Sequence, residues 1–363
     1  MTAIFHGCGC GHPPVTLNDL VRGQTVERGT SARVIDLHAH VLTPEVDAII
    51  AADPRWQSIV SAQANALGAA SVSHNGPLFA GLAPRMTQAE LRIADMMAMC
   101  VDVQVISPSP TQYYYWADEA LSERLVAMQN DSIVTLCAAN PDHFLGFAAV
   151  SLQYPELAAR QLRQMMGHPA IKGVEISSMA GSMELTDPSL EIFWATAEEL
   201  GAVVFLHPLG TTLGTRLQSH YLSNVIGQPL ETTIALSGLI LSGLLDRYPA
   251  LQLLGAHGGG YLPAYIGRSD HAWHVRPEAH VCASLPSSYL RQLWFDTLVY
   301  DPPALRRLAD QVGVDRLVVG TDYPYDMGAY SPHALVQGSL FDPEERTAIL
   351  ARNAARLLGT RRI

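Results

Sequence analysis

The sequence predicts an α/β protein folded as a (β/α)8 barrel, or TIM barrel, because eight short strand-like runs alternate with amphipathic helical segments. A doubly wound sheet typically stops at fewer strands. The 363 residues and the 48% hydrophobic content suffice for one large core. Polar residues interrupt the runs near their carboxyl ends, which is the end where such barrels carry their active sites.

The strand-like runs cover residues 33–40, 101–110, 144–152, 171–178, 201–210, 251–260, 293–301 and 315–324. The helical segments between them repeat apolar residues at helical spacing, and several end at glycine, as in "PPALRRLADQVG". The stretch from Thr43 to Asp102 is too long for one helix and predicts an insertion after strand 1, at about residues 43–90. We therefore expect an N-terminal arm over residues 1–32 and the barrel over residues 33–363.

Composition limits the partners and the compartment. A formal charge of −11 without a basic stripe argues against nucleic acid and anionic membrane surfaces. No apolar run is long enough to span a membrane, and the first residues lack the order of a secretory signal. The five cysteines are too scattered for a disulfide framework. These features predict a cytoplasmic protein that acts on a small molecule.

The run "VIDLHAHV" at residues 34–41 contains two histidines two residues apart. Strict strand alternation places His38 and His40 on one face, with Leu37, Ala39 and Val41 on the other. Two neutral imidazoles on one face suit a shared metal ion such as zinc. The alternative is a pair of core histidines that hydrogen-bond to backbone carbonyls.

The rest of the chain favours the metal. His207, His257 and Asp322 fall late in the fifth, sixth and eighth predicted strands, so that a barrel brings them to the same mouth as His38 and His40. This order resembles that of the metal ligands in the amidohydrolase superfamily. In that superfamily two histidines separated by one residue lie on strand 1, one histidine lies on each of strands 5 and 6, and an aspartate lies on strand 8.

The resemblance extends over residues 34–358. The segments "FLHPLG", "LLGAHGGGYLP", "YIGRSDHAWHVRPE", "FDTLVYDP" and "VVGTDYPY" are similar to those of the 2-amino-3-carboxymuconate-6-semialdehyde decarboxylase subfamily. The resemblance implies a divalent ion, usually zinc, on His38, His40, His207 and Asp322, with His257 as a catalytic group beside it. Iron or manganese is the alternative ion.

Three further residues are candidates for the site, the first two through the same resemblance. Arg268 matches an arginine that reaches a substrate carboxylate in the neighbouring subunit, which predicts a homodimer or a heterodimer with a homologue. Asp296 is a candidate for orienting His257 or Arg268, although pairing with a loop N–H explains it equally well. Tyr325 is a candidate wall for a planar substrate.

The chain also departs from this subfamily. Ala80 stands where the subfamily has a second substrate arginine, and Arg85 follows five residues later. Glu175 replaces an uncharged glutamine on strand 4. A buried carboxylate needs a partner, and Lys172, the only lysine, points to the opposite face of that strand. Glu175 is therefore a candidate ligand of a second ion, with His257 as its other ligand; the alternative is an arginine partner or a position facing the helices.

The arm contains His6, Cys8, Cys10 and His12. Mixed cysteine and histidine ligands suit zinc, but structural sites usually separate paired ligands by two to four residues. An ordered tail without metal, or a contact with another subunit, explains the pattern as well.

These observations predict a metal-dependent amidohydrolase-superfamily enzyme that decarboxylates or hydrolyses a small carboxylate-bearing substrate, with one or two ions. Two alternatives remain. The first is a dinuclear iron or manganese oxygenase on the same barrel, which Glu175 would permit. The second is a non-catalytic subunit that partners an active homologue.

Overall fold

The structure, a computed structural model, describes residues 4–6, 15–22, 28 and 30–360. Eight parallel strands lie side by side in chain order. They are labelled β1 to β8 and comprise Ile35–Val41, Val103–Pro108, Phe144–Ala148, Ile171–Ile176, Val203–Leu206, Gln252–Gly255, Trp294–Asp296 and Leu317–Val318. Parallel bridges from Asp36 to Val319 and from Ala39 to Tyr323 join the first strand to the last. The predicted (β/α)8 TIM barrel is confirmed.

Helices surround the strands. Those of the described residues, numbered α1 to α16, are Leu17–Arg22, Pro44–Ala51, Trp56–Leu67, Ala69–Thr87, Ala89–Met99, Glu119–Ala139, Pro155–Met166, Glu191–Leu200, Gln228–Leu241, Leu244–Arg247, Leu262–Val275, Pro286–Tyr289, Pro302–Val312, Pro332–Gly338, Pro343–Thr347 and Asn353–Leu357. Two short antiparallel pairs, Ile4–His6 with Val15–Thr16 and Met179–Ala180 with Met183–Glu184, lie outside the barrel sheet. No described helix combines the length and apolarity that a bilayer crossing requires.

Helix α13 illustrates how the local sequence specifies an element. The Asp301 side chain accepts a hydrogen bond from the backbone N–H of Ala304 at 3.1 Å and so caps the first turn. Proline begins the helix because it has no N–H, and the N–H of that first position would have no partner within the helix. Its buried residues, Leu305, Leu308, Ala309 and Val312, recur at helical spacing and face the strands. Gly313 ends the helix with a φ of 95°.

Two apolar layers hold the barrel together. One fills the barrel interior with side chains such as Val105, Phe147 and Phe205, joined by Leu357 of the C-terminal helix α16. The other lies between the strands and the surrounding helices and is the larger of the two. Each fully buried leucine or phenylalanine contributes roughly 1.5–3 kcal/mol, so these layers dominate the stability of the scaffold beneath the mouth.

Strand β1 departs from the strict alternation that the sequence predicts. Its register with β2 shifts between Asp36 and Ala39, which is a β-bulge. Leu37 consequently packs in the interior layer, and so does the ring of His38, whose centroid is 4.9 Å from that of Phe205. The placement of Leu37 on the face away from the histidines is therefore wrong, whereas His38 and His40 do share the interior.

Asp36 holds this bulge in place. Its fully buried carboxylate accepts hydrogen bonds from the N–H of His38 at 3.1 Å and from the side chain of Gln104 at 3.0 Å. It also accepts from the N–H and the hydroxyl of Thr321, at 3.0 and 2.6 Å. Asp36 thus ties β1 to β2 and to the loop after β8 just below the histidines.

The predicted insertion falls on the helices between β1 and β2. Helix α3 packs against the turn Gly214–Leu217 after β5, and Phe79 of α4 lies edge-on to Tyr325, with ring centroids 6.1 Å apart. These helices therefore reach across the carboxyl end of the barrel. Arg85 of the same insertion pairs with Asp95 at 2.6 Å, so its guanidinium is already engaged.

The arm packs on the barrel where it is described. Leu17 and Val21 of α1 are buried in the outer layer, and Asn18 accepts a hydrogen bond from Arg85 at 2.7 Å. Of the histidine and cysteine group, only the backbone of His6 is described, in the strand Ile4–His6; Cys8, Cys10 and His12 lie outside the described residues. The boundaries of the arm, the barrel and the insertion stay a prediction.

We expect Asp36→Ala to lower the free energy of unfolding by about 3 kcal/mol or more, because several buried donors lose a charged acceptor. Urea unfolding followed by circular dichroism measures this loss. Asp310→Ala is the control: Asp310 pairs with Arg306 on the exposed side of α13, and its loss should cost below about 1 kcal/mol. Equal losses in the two variants would contradict the role given to Asp36.

Candidate metal centre

The candidate ligands gather at the carboxyl ends of the strands. His38 and His40 lie in β1, whereas His207, His257 and Asp322 follow the ends of β5, β6 and β8. The predicted strands were longer than those observed, and their last residues are loops. A loop position suits these ligands because loop backbone can turn a side chain over the barrel axis.

Two of these loops adopt conformations that side chains rarely take. His257 has a φ of 56° and Asp322 a φ of 57°, both in the left-handed region, and Gly258 continues the first turn with a φ of 60°. Such backbone costs of order 1–3 kcal/mol and is characteristic of functional sites. The N–H of Asp322 donates to the carbonyl of His38 at 2.8 Å, which holds the strained aspartate against β1.

Asp296 supports the same turns. Its carboxylate, at the end of β7, accepts from the backbone N–H groups of His257 and Gly258, at 3.1 and 2.7 Å. A Cβ atom at position 320 would meet the Asp296 side chain at 2.6 Å, so Gly320 is required for this close approach. Burial alone would raise the pKa of Asp296, but the hydrogen bond and charge of His38, the charge of His257 and the N–H of Gly258 together outweigh it and lower the pKa.

The side chains converge on one point. Ligand atoms of His38, His207, His257 and Asp322 all lie within 4.8 Å of one another. His40 joins them through the aspartate: the Nε2 atoms of His38 and His40 are each 3.3 Å from Oδ1 of Asp322. The ring centroid of His207 is 4.8 Å from the centroids of both.

These atoms lack hydrogen-bond partners although they are buried. They are Nε2 of His38, Nε2 of His40, both ring nitrogens of His207, Nδ1 of His257 and Oδ1 of Asp322. A buried polar atom without a partner costs about 1–3 kcal/mol, and so many around one point are not tolerated in an ordinary core. Nitrogen and carboxylate donors of this kind fit a divalent metal ion.

Neighbouring groups fix which nitrogen of each strand-1 histidine is free. Nδ1 of His38 lies 2.7 Å from Asp296, and Nδ1 of His40 lies 3.3 Å from the carbonyl of Pro108. Each Nδ1 is therefore the protonated nitrogen in the neutral ring, which leaves the Nε2 lone pair directed at the cluster. Asp296 orients His38, and it contacts His257 only through the backbone.

The electrostatics favour a cation at this point. Burial lowers the pKa of His38, but the carboxylates of Asp322 and Asp296 outweigh burial and raise it. Burial and the neighbouring imidazoles hold the pKa of His207 well below its usual range, so that its lone pairs stay available. Burial would raise the pKa of Asp322, yet His38 and His40 hold it well below its ordinary value.

The other predicted residues are not all at this cluster. Tyr325 lies at its edge, with its ring centroid 5.4 Å from that of His40 and its hydroxyl 2.5 Å from Ser109. Glu175 contacts His40 on the Nδ1 side, at 3.5 Å. Arg268 lies exposed on α11, where no hydrogen bond or ion pair joins it to other described residues.

One contact was not foreseen from the sequence. The hydroxyl of Tyr113, in the loop after β2, lies 2.6 Å from Oε1 of Glu175 and 2.9 Å from the carbonyl of His207. The aromatic run "YYYW" at residues 113–116 was its only signal, and that pattern is equally typical of ordinary packing. Tyr113 connects strands β4 and β5 beside the cluster.

Comparison with known proteins identifies the family. A family model described as amidohydrolase matches residues 35–360. The chain belongs to this family. It is also 31% identical to the 2-amino-3-carboxymuconate-6-semialdehyde decarboxylase of Dictyostelium discoideum, over 90% of this chain and 91% of that protein. The predicted membership of the amidohydrolase superfamily and its decarboxylase-like subfamily is confirmed.

Solved structures share the fold. The 5-carboxyvanillate decarboxylase of Sphingomonas paucimobilis superposes with a TM-score of 0.78 at 24% identity, covering 91% of this chain and all of the other. The Novosphingobium aromaticivorans enzyme, complexed with manganese and 4-hydroxy-3-methoxy-5-nitrobenzoic acid, has a TM-score of 0.78 at 21% identity and covers 91% and 96%. The relatives confirm an enzyme of the carboxy-lyase type in this superfamily and give no support to the oxygenase alternative.

We expect His207→Ala to abolish stoichiometric binding of a divalent ion, because it removes the ligand that bridges the space between β1 and β6. Equilibrium dialysis against Zn²⁺, followed by mass spectrometric metal analysis, measures the loss. His168→Ala, at an exposed histidine remote from the cluster in the chain, is the control and should bind as the parent does. An unaltered metal content in His207→Ala would contradict the assignment.

Proposed function

We propose that this protein is a metal-dependent decarboxylase that releases carbon dioxide from a small planar carboxylate. The observation that carries the proposal is the group of buried, unpartnered ligand atoms on His38, His40, His207 and Asp322 at the barrel mouth. Relatives that share most of the chain are decarboxylases, which favours decarboxylation over hydrolysis.

The four residues would hold the metal, and His257 would stand beside it. Zinc suits three imidazoles and one carboxylate, and manganese, present in the Novosphingobium structure, is the alternative. When bound, the ion supplies positive charge that orients the substrate and stabilises the charge that develops during the reaction. Metal analysis of protein isolated without added metal distinguishes the two ions.

The chain's own residues account for the remaining chemistry. When the bond between carbon and the carboxylate breaks, carbon dioxide leaves and the electron pair stays on the substrate carbon. His257 passes to this carbon a proton that it takes from water, because burial lowers the pKa of the ring to about 4 and leaves it neutral near pH 7. Tyr325 contacts one face of a planar substrate, with its hydroxyl fixed by Ser109.

Arg268 would bind the carboxylate of a substrate that is held in the active site of a second subunit. An exposed guanidinium that pairs with none of the other described residues suits bidentate capture of a carboxylate. Tyr265 and Arg268 are three residues apart in α11 and share one face with Tyr261, the residue that caps the start of the helix; Tyr265 is 70% exposed. An exposed aromatic stripe is typical of an interface, which supports a homodimer; a heterodimer with a homologue is the alternative.

We expect the metal-loaded enzyme to release carbon dioxide from 2-amino-3-carboxymuconate-6-semialdehyde, 5-carboxyvanillate or a related planar carboxylate. His257→Asn should lower the rate by about 10²–10⁴-fold, because it removes the proton donor. Coupled detection of carbon dioxide measures the rate, and metal analysis shows whether the variant keeps its ion. An enzyme that hydrolyses esters or lactones of such acids and releases no carbon dioxide would overturn the proposal.

We expect Arg268→Ala and His207→Ala to be inactive alone and to regain activity when mixed. In a mixed dimer, the chain with intact ligands receives Arg268 from its partner, so random exchange should restore about a quarter of the parent's activity. Activity after subunit exchange, with sedimentation to confirm dimers, tests this. If Arg268 acted within its own chain, mixing would restore nothing.

A further inference from the structure

Glu175 has a defined environment that the proposed reaction does not use. It lies in β4, is 1% exposed, and its two carboxylate oxygens meet different groups. Oε1 accepts a hydrogen bond from the hydroxyl of Tyr113 at 2.6 Å. Oε2 lies 3.5 Å from Nδ1 of His40 and is left without a hydrogen-bond partner.

The position of Glu175 relative to the ring of His40 shows which of the two ring nitrogens the carboxylate contacts. Nε2 of His40 lies 3.3 Å from Asp322, on the side of the ligand cluster. Nδ1 faces Glu175, with the hydroxyl of Ser107 and the carbonyl of Pro108 each at 3.3 Å. Because the two ring nitrogens point away from each other, Glu175 and the ligand cluster contact opposite edges of one imidazole.

The neighbours of Glu175 also explain how its charge is tolerated. A buried carboxylate with no compensation carries a penalty of several kcal/mol. Burial raises the pKa of Glu175, and His40, Ser107 and Tyr113 oppose that rise. The Tyr113 hydroxyl and the imidazole of His40 therefore offset part of the burial penalty of the carboxylate without a second metal ion.

We propose that Glu175 is a positioning residue for His40. Its Oε2, 3.5 Å from Nδ1, attracts the Nδ1–H electrostatically and, together with the carbonyl of Pro108, keeps Nε2 directed at the metal, while Tyr113 fixes the carboxylate through Oε1. A carboxylate behind a ligating histidine sets its tautomer and its basicity. This inference rests on the proposed metal centre. A positioning role for Glu175 implies one ion per chain, whereas the ligand role predicted from the sequence implies two.

Titration of the metal-free protein with Co²⁺ tests the inference, since the titration gives the stoichiometry and the affinity and the visible absorption reports the ligand geometry. The parent should bind one ion per chain. Glu175→Gln keeps an acceptor oxygen and should bind one ion within about threefold of the parent's affinity, whereas Glu175→Leu should bind 10–100-fold more weakly, with altered absorption bands.

Two tyrosine variants form a matched pair for this experiment. Tyr113→Phe removes the hydroxyl that fixes Glu175 and should weaken Co²⁺ binding by about fivefold. Tyr115→Phe removes a hydroxyl that accepts from the N–H of Ser177 at 3.3 Å, and it should leave the affinity unchanged. If circular dichroism shows that Glu175→Leu does not fold, the difference in Co²⁺ affinity between the two tyrosine variants tests the positioning role instead.

Two Co²⁺ ions on the parent and one on Glu175→Gln would overturn the positioning role and support a second ion. A folded Glu175→Leu with the parent's affinity and spectrum would also overturn it, as would equal affinities of the two tyrosine variants. A parent that binds no Co²⁺ would overturn the proposed metal centre as well, so the two failures are distinguishable.

Discussion

The site depends on the contact between the first and last strands of the barrel. The loop after β8 hydrogen-bonds to β1 through the N–H of Asp322, and the carboxylate of the same residue lies between the two strand-1 imidazoles. Asp36 reinforces this contact from below through Thr321. Barrel closure therefore assembles the ligand cluster, because residues almost 300 positions apart meet only when these strands pair.

The cluster illustrates how a stable scaffold supports an unfavourable site. Left-handed backbone at His257 and Asp322, together with buried polar atoms that lack partners, opposes folding. The apolar layers inside and outside the strands compensate for this cost. A cation at the cluster would bind the imidazole lone pairs and the Asp322 carboxylate, which are unfavourable without it. Metal binding would therefore stabilise the folded protein.

Behind the candidate ligands, a second set of polar groups orients the imidazole rings. Asp296 lies behind His38 and Glu175 behind His40, while Asp36 sets the bulge that brings His38 into the interior. The three carboxylates occupy different elements, and each is buried among donors. Such support matters because small displacements of a ligand or of a proton donor have large effects on binding and rate.

The sequence by itself determined the eightfold alternation of strands and helices, the paired histidines of β1 and the order of the candidate ligands along the chain. These are local patterns, and the period of apolar residues and the capping residues reveal them. Only the tertiary structure decided that Leu37 shares the interior with the histidines, that Arg85 is engaged by Asp95, and that Asp296 orients His38. Each of these facts depends on strand register and on distances between residues remote in sequence, and a local pattern contains neither.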